Sequence, residues 1–465
     1  MLFSQNYIMK NNKQLHPQKV LLVLCVASFL VPFMGSSINL AMPQIGETFS
    51  MKAVTLTWLS TTYLMSTAIF QVPFARLADM IGRRKVFEAG ILCFSICCIL
   101  CGFAPSGAIL IGLRFLTGLG SAMQFGTNMA ILTDVFPPQQ RGKAMGINSA
   151  VVYSSLAAGP LLGGLLTHYF GWRSLFIITG TASLSVIALS RIFMNAEWME
   201  AKGEKFDWKG SLIYGLGLFA IIYGFTQLPS IAGFCWLAGG IMALFGFVFY
   251  ERQCSNPVFN LRIFSGNRVF AFSSLSALIN YAATAAITFM LSLYLQYIRG
   301  YDARHAGLIL ITQACIQALF SVLSGRLSDK IPPARLATFG MGIITAGLVG
   351  MIFITATTPI ALLILLLVLL GIGFGIFASP NTNVIMSSVD KKYYGQASAT
   401  TGTVRLTGQA LSMGIAGMAI ALKLGDQKIH PGVHTAFLES MKITFIIFVV
   451  LCAVGIYASS QRKTK

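Results

Sequence analysis

The sequence predicts an all-α polytopic membrane protein that consists of two six-helix bundles plus two extra central helices. Of its 465 residues, 55% are hydrophobic and only 10% are charged, and the mean hydropathy is +0.75. A soluble protein carries about 25% charged residues to keep its surface wetted, so this chain has too little charge for a water-exposed surface. Its Lys and Arg residues lie in short clusters between apolar stretches of about 20 residues, the length that crosses a bilayer as a helix.

The apolar stretches can be placed in order along the chain. We expect fourteen helices, which begin near residues 20, 55, 86, 108, 144, 174, 210, 231, 268, 304, 335, 359, 395 and 437. The seventh and eighth are the least separated, because only Pro229 and Ser230 lie between them. The first apolar run is too long for the core of a secretory signal peptide, so we interpret it as the first span.

The distribution of positive charge gives these helices an orientation. If the N-terminus is inside, the inner segments hold 24 of the 33 Lys and Arg residues and the outer segments hold 7, while Arg114 and Arg405 lie within spans. Positive residues favour cytoplasmic loops. The pattern predicts a multi-pass protein of the cytoplasmic (inner) membrane with both termini in the cytoplasm, and it argues against nucleic acid as the partner of this basic chain. The nine cysteines lie mostly in apolar runs and are interpreted as packing residues rather than metal ligands or disulfides.

An internal repeat divides the chain. The segment Ala75–Asp79 closes the second predicted span, and Gly325–Asp329 closes the tenth, 250 residues later. We therefore predict an N-terminal six-helix bundle at 1–195, an insertion of helices seven and eight with cytoplasmic loops at 196–266, and a C-terminal six-helix bundle at 267–465. Parallel repeats of this kind are typical of secondary transporters, whose substrate site lies between the halves.

Six short segments carry a family resemblance. They are Asn39–Ile45, Ala75–Lys85, Arg114–Gly120, Gly159–Gly164, Phe206–Gly210 and Asn256–Phe259. In these segments and their order, the chain resembles the major facilitator superfamily, and specifically its fourteen-helix drug:proton antiporter branch, from about residue 20 to 458. It departs from the family pattern at Ala75 and Ser155, where the motifs usually have Gly. The resemblance implies a transporter that is not an enzyme and needs no cofactor or metal.

The motifs also indicate candidate gating residues. Asp79 and Asp329 end their spans beside arginines, so each could hold a loop against a helix terminus in one conformation and release it in another. The Gly159-Pro160 pair removes a hydrogen bond and side-chain bulk within a helix. The gating set is Asp79, Gly82, Arg83, Arg84, Gly159, Pro160, Arg326 and Asp329. A simple interfacial cap for the aspartates and an ordinary kink for the Gly-Pro pair remain alternatives.

Polar residues within spans indicate a transport cavity, because lipid cannot satisfy them. Five of them fall on one face of helix four over about four turns. The predicted cavity residues are Arg114, Thr117, Ser121, Gln124 and Asn128 on helix four, Asn148, Asn280, Gln313, Gln317, Asn381 and Arg405. Hydrogen bonding between helices is the alternative for each isolated amide. Near the inner ends, we expect Glu88 to pair with Arg83 or Arg84, and Asp134 to pair within the turn that contains Arg141.

The missing motifs narrow the function. The chain lacks the His-Glu-x-x-His, Gly-x-Ser-x-Gly and Gly-Lys-Ser/Thr patterns, so a membrane enzyme or ATP-driven transport is disfavoured, and no loop is long enough for a receptor domain. We predict a secondary active transporter that exports small amphipathic molecules by alternating access, as a drug/proton antiporter. The alternative is an exporter of a specific metabolite, lipid or peptide with non-standard or no proton coupling.

The acidic residues bear on coupling and substrate charge. Many members of the family that this chain resembles have a carboxylate in helix one where this chain has Met34, and none of its 14 acids lies convincingly near mid-membrane. Arg114 and Arg405 therefore have no obvious partner, which favours a neutral or anionic small-molecule substrate. Proton coupling would use a peripheral acid such as Glu88 or Asp134, use the substrate itself, or be absent. The bilayer is the other expected partner, and a periplasmic adaptor is left open.

Overall fold

The structure, a computed structural model, describes residues 16–259, 261, 264, 266–328, 330–390 and 394–462, and within them it is helical with no strand. The helices are α1 Pro17–Thr48, α2 Ala53–Ile81, α3 Arg83–Gly102, α4 Gly107–Val135, α5 Pro138–Phe170, α6 Trp172–Phe193, α7 Trp208–Gln227, α8 Ile231–Gln253, α9 Arg268–Ala282, α10 Ile287–Leu293, α11 Ala303–Leu327, α12 Pro333–Ile352, α13 Ile360–Ser387, α14 Tyr394–Leu424 and α15 His434–Ser460. A short π-helical turn, Tyr294–Ile298, extends α10. The all-α prediction is confirmed, and each expected start lies within six residues of a helix start.

Twelve helices among the described residues are long and apolar enough to cross a membrane, with α9, α10 and the π turn counted as one run, Arg268–Ile298. The multi-pass membrane character is therefore confirmed. Helices α2 and α14 are not in this set, although their 29 and 31 residues exceed the length that a bilayer requires. The count of fourteen spans stays a prediction.

The helices pack as two groups with a hairpin beside them. Helix α4 packs on α2 and α3, and α5 packs on α1, while α13 packs on α11 and α12, and α15 packs on α12 and α9. Helices α7 and α8 pack on each other, and α7 also lies against α2 and α14. The insertion therefore contacts both groups mainly through α7. The exact division at 1–195, 196–266 and 267–465 stays a prediction.

The apolar core is distributed unevenly along the bundle. We name the end that carries Arg83 the inner end and the opposite end the outer end. The largest apolar cluster lies towards the outer end and includes residues of α1 and α2 together with α10, α11, α14 and α15. Towards the inner end the first group has its own cluster around Phe87, and the second has a small one around Phe270 and Ile385. A further cluster, which includes Met65 of α2 and Leu406 of α14 together with residues of α7 and α8, joins the two groups beside the hairpin. The two groups therefore share a core at the outer end, whereas the clusters around Phe87 and Phe270 at the inner end are separate.

Candidate functional site

A buried arginine organises the inner end. Gly82 has a φ of +122°, which only glycine adopts easily, and it turns the chain from α2 directly into α3. Arg83 follows it and is 4% exposed. Its Nε donates to Asp79 Oδ1 at 2.7 Å, its Nη1 donates to Asp134 Oδ2 at 2.6 Å, and its Nη2 lies 2.7 Å from Glu200 Oε2. One guanidinium thus joins α2, α4 and the segment after α6.

That segment, residues 194–207, covers the turn between α2 and α3; we name it the clamp segment. The Ala201 N–H donates to the Asp79 carbonyl at 2.9 Å, and the Arg83 N–H donates to the Trp198 carbonyl at 3.0 Å. A Cβ at position 82 would lie 2.5 Å from Cδ of Glu197, so a larger residue there would displace the Glu197 side chain. The clamp segment is therefore fixed to the motif by its backbone as well as by its carboxylates.

The clamp segment also binds the next arginine. The Arg84 N–H donates to Glu197 Oε1 at 2.9 Å. Burial raises the pKa of the Glu197 carboxyl above its ordinary value, although backbone hydrogen bonds from Arg84 and Trp198 oppose that shift. Arg84 Nε lies 2.8 Å from Glu88 Oε1, which also accepts a hydrogen bond from Ser190 Oγ at 2.8 Å. The expected partnership of Glu88 with a neighbouring arginine is thus found with Arg84.

Asp134 pairs differently from the expectation. It binds Arg83 across the α3–α4 contact rather than pairing within its own turn. Arg141, which was expected to be its neighbour there, instead donates from Nε to the Phe136 carbonyl at 3.0 Å. The expectation considered only residues close in sequence, whereas 51 positions separate Asp134 from Arg83.

The repeat of this motif in the second half is only partly described. Arg326 lies in the last turn of α11 and is exposed. Asp329, the predicted counterpart of Asp79, lies outside the described residues. The gating roles of both residues stay predictions.

The most buried cation in the described part of the chain is Arg114, which is fully buried on α4. Its Nε donates to the Leu59 carbonyl of α2 at 3.0 Å, and its guanidinium carbon lies 4.2 Å from the ring centroid of Tyr63. Neither Nη1 nor Nη2 has a hydrogen-bond partner in the described part of the chain. The guanidinium is therefore held by a carbonyl and an aromatic face, without a carboxylate.

The rest of the helix-four stripe is also buried, in contacts with neighbouring helices. Ser121 Oγ bonds to the Tyr63 hydroxyl at 3.1 Å, and Asn128 Nδ2 donates to Ser28 Oγ at 2.9 Å. Gln124 Nε2 lies 3.4 Å from the Gly90 carbonyl, and Thr117 Oγ1 donates to its own helix. In this conformation the stripe faces protein. A role of these residues in lining the pathway stays a prediction.

A second cation lies between the two halves. Arg405 of α14 is half-buried, and its guanidinium carbon lies 5.7 Å from the ring centroid of Phe125 on α4. Tyr281 of α9 lies close to both Arg405 and Tyr153 of α5. No ion pair of the described residues includes Arg405. Phe125 and Tyr281 thus lie beside this cation, and the sequence alone did not indicate them, because no residue pattern distinguishes them from the other aromatics.

The remaining predicted cavity residues divide by exposure. Asn148, Asn280 and Asn381 are buried, and Asn381 Nδ2 lies 3.4 Å from the Ser273 carbonyl. Both side-chain polar atoms of Asn280 lack a hydrogen-bond partner within the part of the chain that the structure describes. Gln313 and Gln317 are half-buried on α11. Their assignment to the cavity stays a prediction.

At the outer end the two halves are joined by polar contacts. Ser292 Oγ donates to the Asn39 carbonyl at 2.6 Å, and His168 Nδ1 lies 3.4 Å from Asp302 Oδ2. Further cross-half contacts at this end join Gln296 to Leu40, Tyr297 to Pro43, Arg304 to Tyr169, Lys52 to Asp426, and Ala53 to Gln427. Direct hydrogen bonds and ion pairs between the halves are concentrated here.

Close backbone packing supports this outer closure. A Cβ at Gly159 would lie 1.7 Å from Ser36 Oγ and 3.2 Å from the Ser37 backbone nitrogen of α1, so α5 approaches α1 too closely for a side chain at position 159. A Cβ at Gly307 of α11 would lie 2.4 Å from the Pro160 carbonyl oxygen. Gly159 therefore packs α5 against α1 of its own half, and the adjacent Pro160 packs α5 against α11 of the other half.

Comparison with known proteins gives a family match and several relatives. The family model of the Major Facilitator Superfamily matches residues 24–413. The chain is 27% identical to the riboflavin transporter RibZ of Clostridioides difficile (strain 630), over 96% of this chain and 98% of that protein. It is 29% identical to the multidrug resistance protein Stp of Mycobacterium tuberculosis, over 83% of this chain and 72% of that protein. It is 25% identical to the tetracenomycin C resistance and export protein of Streptomyces glaucescens, over 88% of this chain and 77% of that protein.

Solved structures agree on the fold. A bacterial homologue of the human lysosomal transporter Spinster, in an inward-facing and unoccupied conformation, superposes with a TM-score of 0.71. The identity is 18%, and the superposition covers 97% of this chain and 98% of that chain. A structure of such a homologue in an inward-facing and occupied conformation gives a TM-score of 0.65 at 20% identity. At these identities the likeness shows the fold alone.

Proposed function

The chain belongs to the Major Facilitator Superfamily, and from that membership we propose that it is a secondary active transporter that exports small amphipathic molecules across the cytoplasmic membrane. The observation that carries this proposal is the uneven contact between its halves. Cross-half polar contacts such as Ser292 with Asn39 lie at the outer end, while the clusters around Phe87 and Phe270 at the inner end are separate. Opening the outer end would require these contacts to break, which is the change that alternating access needs.

The architecture belongs to the same proposal. Fourteen spans place both termini in the cytoplasm, with six-helix bundles at 1–195 and 267–465 that rock about a central site. The inserted hairpin α7–α8 stays peripheral, because α8 packs mainly on α7. The cluster of Arg83 with Asp79, Asp134 and Glu200 then lies on the cytoplasmic side, where the clamp segment holds the inner ends of α2, α3 and α4 in this conformation.

The central cations determine the substrate class that we propose. Arg405 is half-buried between the halves beside Phe125, with Tyr281 and Tyr153 nearby. A cation beside aromatic rings, without a carboxylate, favours a planar ring with a neutral or anionic group over a cationic drug. Relatives named for multidrug resistance and for tetracenomycin C export support a role in drug efflux.

Export of one specific metabolite is the second candidate. It is favoured by the similarity to RibZ, named as a riboflavin transporter, which extends over nearly the whole of both chains. The two candidates differ in selectivity rather than in mechanism. A broad range of exported compounds supports drug efflux, whereas a single exported compound supports the metabolite exporter.

Proton antiport is the energy source that we propose, without the usual helix-one carboxylate. Met34 occupies that position and is fully buried. Glu88 and Asp134 are the peripheral acids that could exchange a proton, and both are bound to arginines in this conformation. Proton exchange at either acid would therefore also change the inner-end cluster.

Purified protein in liposomes tests the function. We expect solute flux that needs no ATP and that follows an imposed pH gradient, measured with riboflavin and a panel of neutral, anionic and cationic aromatic compounds. Binding of compounds without flux in either direction would overturn the transporter proposal. Strong gradient-driven export of a dication would overturn the substrate class but leave the transporter in place.

A further inference from the structure

Two buried carboxylates lie at the inner end of the inserted hairpin. Asp207 precedes α7 and is 8% exposed, and Glu251 lies in the last turn of α8 and is 3% exposed. Asp207 Oδ1 accepts hydrogen bonds from the Gly210 N–H at 2.9 Å and the Tyr250 hydroxyl at 3.0 Å. Its Oδ2 accepts from the Cys254 thiol at 3.6 Å. All the donors to Asp207 are therefore neutral groups.

Glu251 is only half satisfied. Its Oε1 accepts from the backbone N–H groups of Val258 at 3.1 Å and Phe259 at 3.3 Å. Its Oε2 is buried and has no hydrogen-bond partner in the described part of the chain. A buried carboxylate oxygen without a hydrogen-bond donor is costly, because it loses its hydration and gains no hydrogen bond from the protein.

The two carboxyl groups are close to each other. A Cβ placed on Gly210 would lie 2.2 Å from Asp207 Oδ2 and 3.2 Å from Glu251 Oε1, so these oxygens are separated by at most the sum of the two distances, 5.4 Å. Like charges at this distance in a buried site disfavour ionisation of both groups. A proton on one of them removes the repulsion.

A cation that faces the pair belongs to another element. Arg76 of α2 faces Glu251 but forms its ion pair with Glu204 of the clamp segment. No Lys or Arg among the described residues forms an ion pair with Asp207 or Glu251. Among the described residues, the titratable groups beside the carboxyl pair are thus Arg76, Tyr250 and Cys254.

We propose that Asp207 and Glu251 form a proton-binding site that holds one shared proton, carried on Oε2 of Glu251, and that this site responds to cytoplasmic pH. Proton release breaks the O–H bond at Oε2, transfers the proton to cytoplasmic water and leaves a second negative charge in the pair. That charge attracts Arg76 away from Glu204. Because Glu204 belongs to the clamp segment, deprotonation loosens the clamp and changes the rate of the transport cycle, a consequence that rests on the proposed function.

Infrared difference spectroscopy on the purified full-length protein in detergent tests the site without any transport. We expect the carbonyl band of a protonated carboxylic acid to disappear as pH rises through neutrality in the wild type. The band is absent in Glu251→Gln, and in Asp207→Asn it disappears at a lower pH because the neighbouring negative charge is gone. The matched control, Glu439→Gln, changes an exposed acid on α15 and keeps the wild-type band.

Three results would overturn the site. They are a wild-type band that persists in Glu251→Gln, a band whose midpoint is unchanged in Asp207→Asn, or a band that disappears when sodium replaces choline at constant pH. The last result would indicate a metal cation instead of a proton. If Glu251→Gln does not fold, the midpoint in Asp207→Asn still decides the question.

The regulatory part is measured separately in proteoliposomes. Transport by the wild type is expected to change severalfold when the pH on the inner-end side is varied at constant driving force, and transport by Glu251→Gln less than twofold. Equal pH dependence in both proteins would overturn the regulatory role. If the infrared titration behaves as expected but no variant transports any solute, the proton site stands and the proposed function fails.

Discussion

The guanidinium of Arg405 lies 5.7 Å from the ring centroid of Phe125, and this contact joins α14 of the second half to α4 of the first. Arg405 lies within the helix, far from either end, so the contact lies between the outer closure and the inner cluster. A cation–π contact of this kind contributes about 0.5–2 kcal/mol, depending on how far the site is desolvated. It is thus weak enough to exchange for a substrate.

Replacement of Arg405 should separate substrates by charge. We expect Arg405→Gln to reduce export of an anionic aromatic compound at least tenfold while reducing export of a neutral compound with the same ring only about twofold, since a lost ionic hydrogen bond costs about 1.5–3 kcal/mol. Arg405→Lys should retain part of the anion transport, because it keeps the charge but loses the planar fork. The measurement is KM and maximal rate in proteoliposomes.

A matched control is Lys428→Gln, which removes an exposed charge from the outer loop between α14 and α15. It should leave both compounds unaffected. Equal losses for the anionic and the neutral compound in Arg405→Gln would contradict a role in charge recognition. They would indicate that Arg405 supports only the packing of the two halves.

The sequence predicted the helices well, because the length of an apolar run is a local property. It also placed polar residues correctly on one face of α4, since helical periodicity determines which residues share a face. Periodicity cannot tell whether that face meets water or another helix. Ser121 and Asn128 meet Tyr63 and Ser28, and those partners depend on how α1 and α2 pack.

The clamp segment was not predicted as part of the site. Its acids appeared in the sequence as an ordinary cytoplasmic loop, and the ion pair between Arg83 and Glu200 joins residues more than a hundred positions apart. By contrast, the pairing of Arg84 with Glu88 was predictable, because residues four apart on a helix are neighbours. Contacts within one helix can be inferred from spacing, whereas contacts between elements need the packed fold.

Arg114 should show a conflict between function and stability. We expect Arg114→Ala to abolish transport with the protein still inserted, and Arg114→Lys to retain some transport because it keeps the positive charge. Arg114→Met, which fills similar volume without charge, should also abolish transport but stabilise the protein by about 1–4 kcal/mol, because a buried cation without a carboxylate is costly. The measurements are proteoliposome transport and thermal unfolding in detergent.

The comparison of Met with Ala controls for packing, since Ala leaves a cavity and should lower the midpoint of thermal unfolding. Wild-type transport in Arg114→Met would show that the guanidinium has no role in the cycle. A lower unfolding midpoint in Arg114→Met would show that the contacts of Arg114 with Leu59 and Tyr63 outweigh the cost of burying its charge.

The carboxylates around Arg83 should differ in importance according to their exposure. The side chain of Asp134 is 15% exposed and that of Asp79 is 26% exposed, whereas that of Glu200 is 67% exposed. We expect Asp79→Asn and Asp134→Asn to slow transport tenfold or more while the protein remains inserted, because each weakens a partly buried partner of a buried cation. Glu200→Gln should change the rate less than about threefold, since exposed ion pairs contribute about 0–1 kcal/mol.

Transport rates are measured together with surface expression, so that a folding defect is not mistaken for slow cycling. Glu200→Gln is the internal control, because it removes a carboxylate from the same guanidinium. A wild-type rate in Asp79→Asn would contradict the gating role of that residue. Equal effects of all three substitutions would contradict the ranking by exposure.

The outer closure should weaken when the outside becomes strongly acidic, because Asp302 then loses its charge. Asp302 is the N-cap residue of α11 and lies between His168 of α5 and His305 of α11, and Arg304 donates to the Tyr169 hydroxyl beside them. Burial alone would raise the pKa of Asp302, but the hydrogen bonds and the charges of the two histidines hold it below its ordinary value. Asp302 therefore keeps its charge in the outer-closed state until the pH falls below its ordinary range, well under neutrality.

The contacts that lower the pKa of Asp302 belong to the outer-closed state, so they stabilise that state at neutral pH and are lost when the pH falls through the lowered pKa and Asp302 is protonated. Because these groups are partly exposed, we expect the ratio of outer-closed to outer-open protein to fall no more than about fivefold on that acidification. Pulsed electron spin resonance distances between labels at positions 170 and 308, in a background without native cysteines, measure that ratio. Asp302→Asn keeps an oxygen that can accept the His305 N–H but removes the charge, so it should abolish the pH dependence. An unchanged pH dependence in this variant would show that the charge of Asp302 does not control the outer closure.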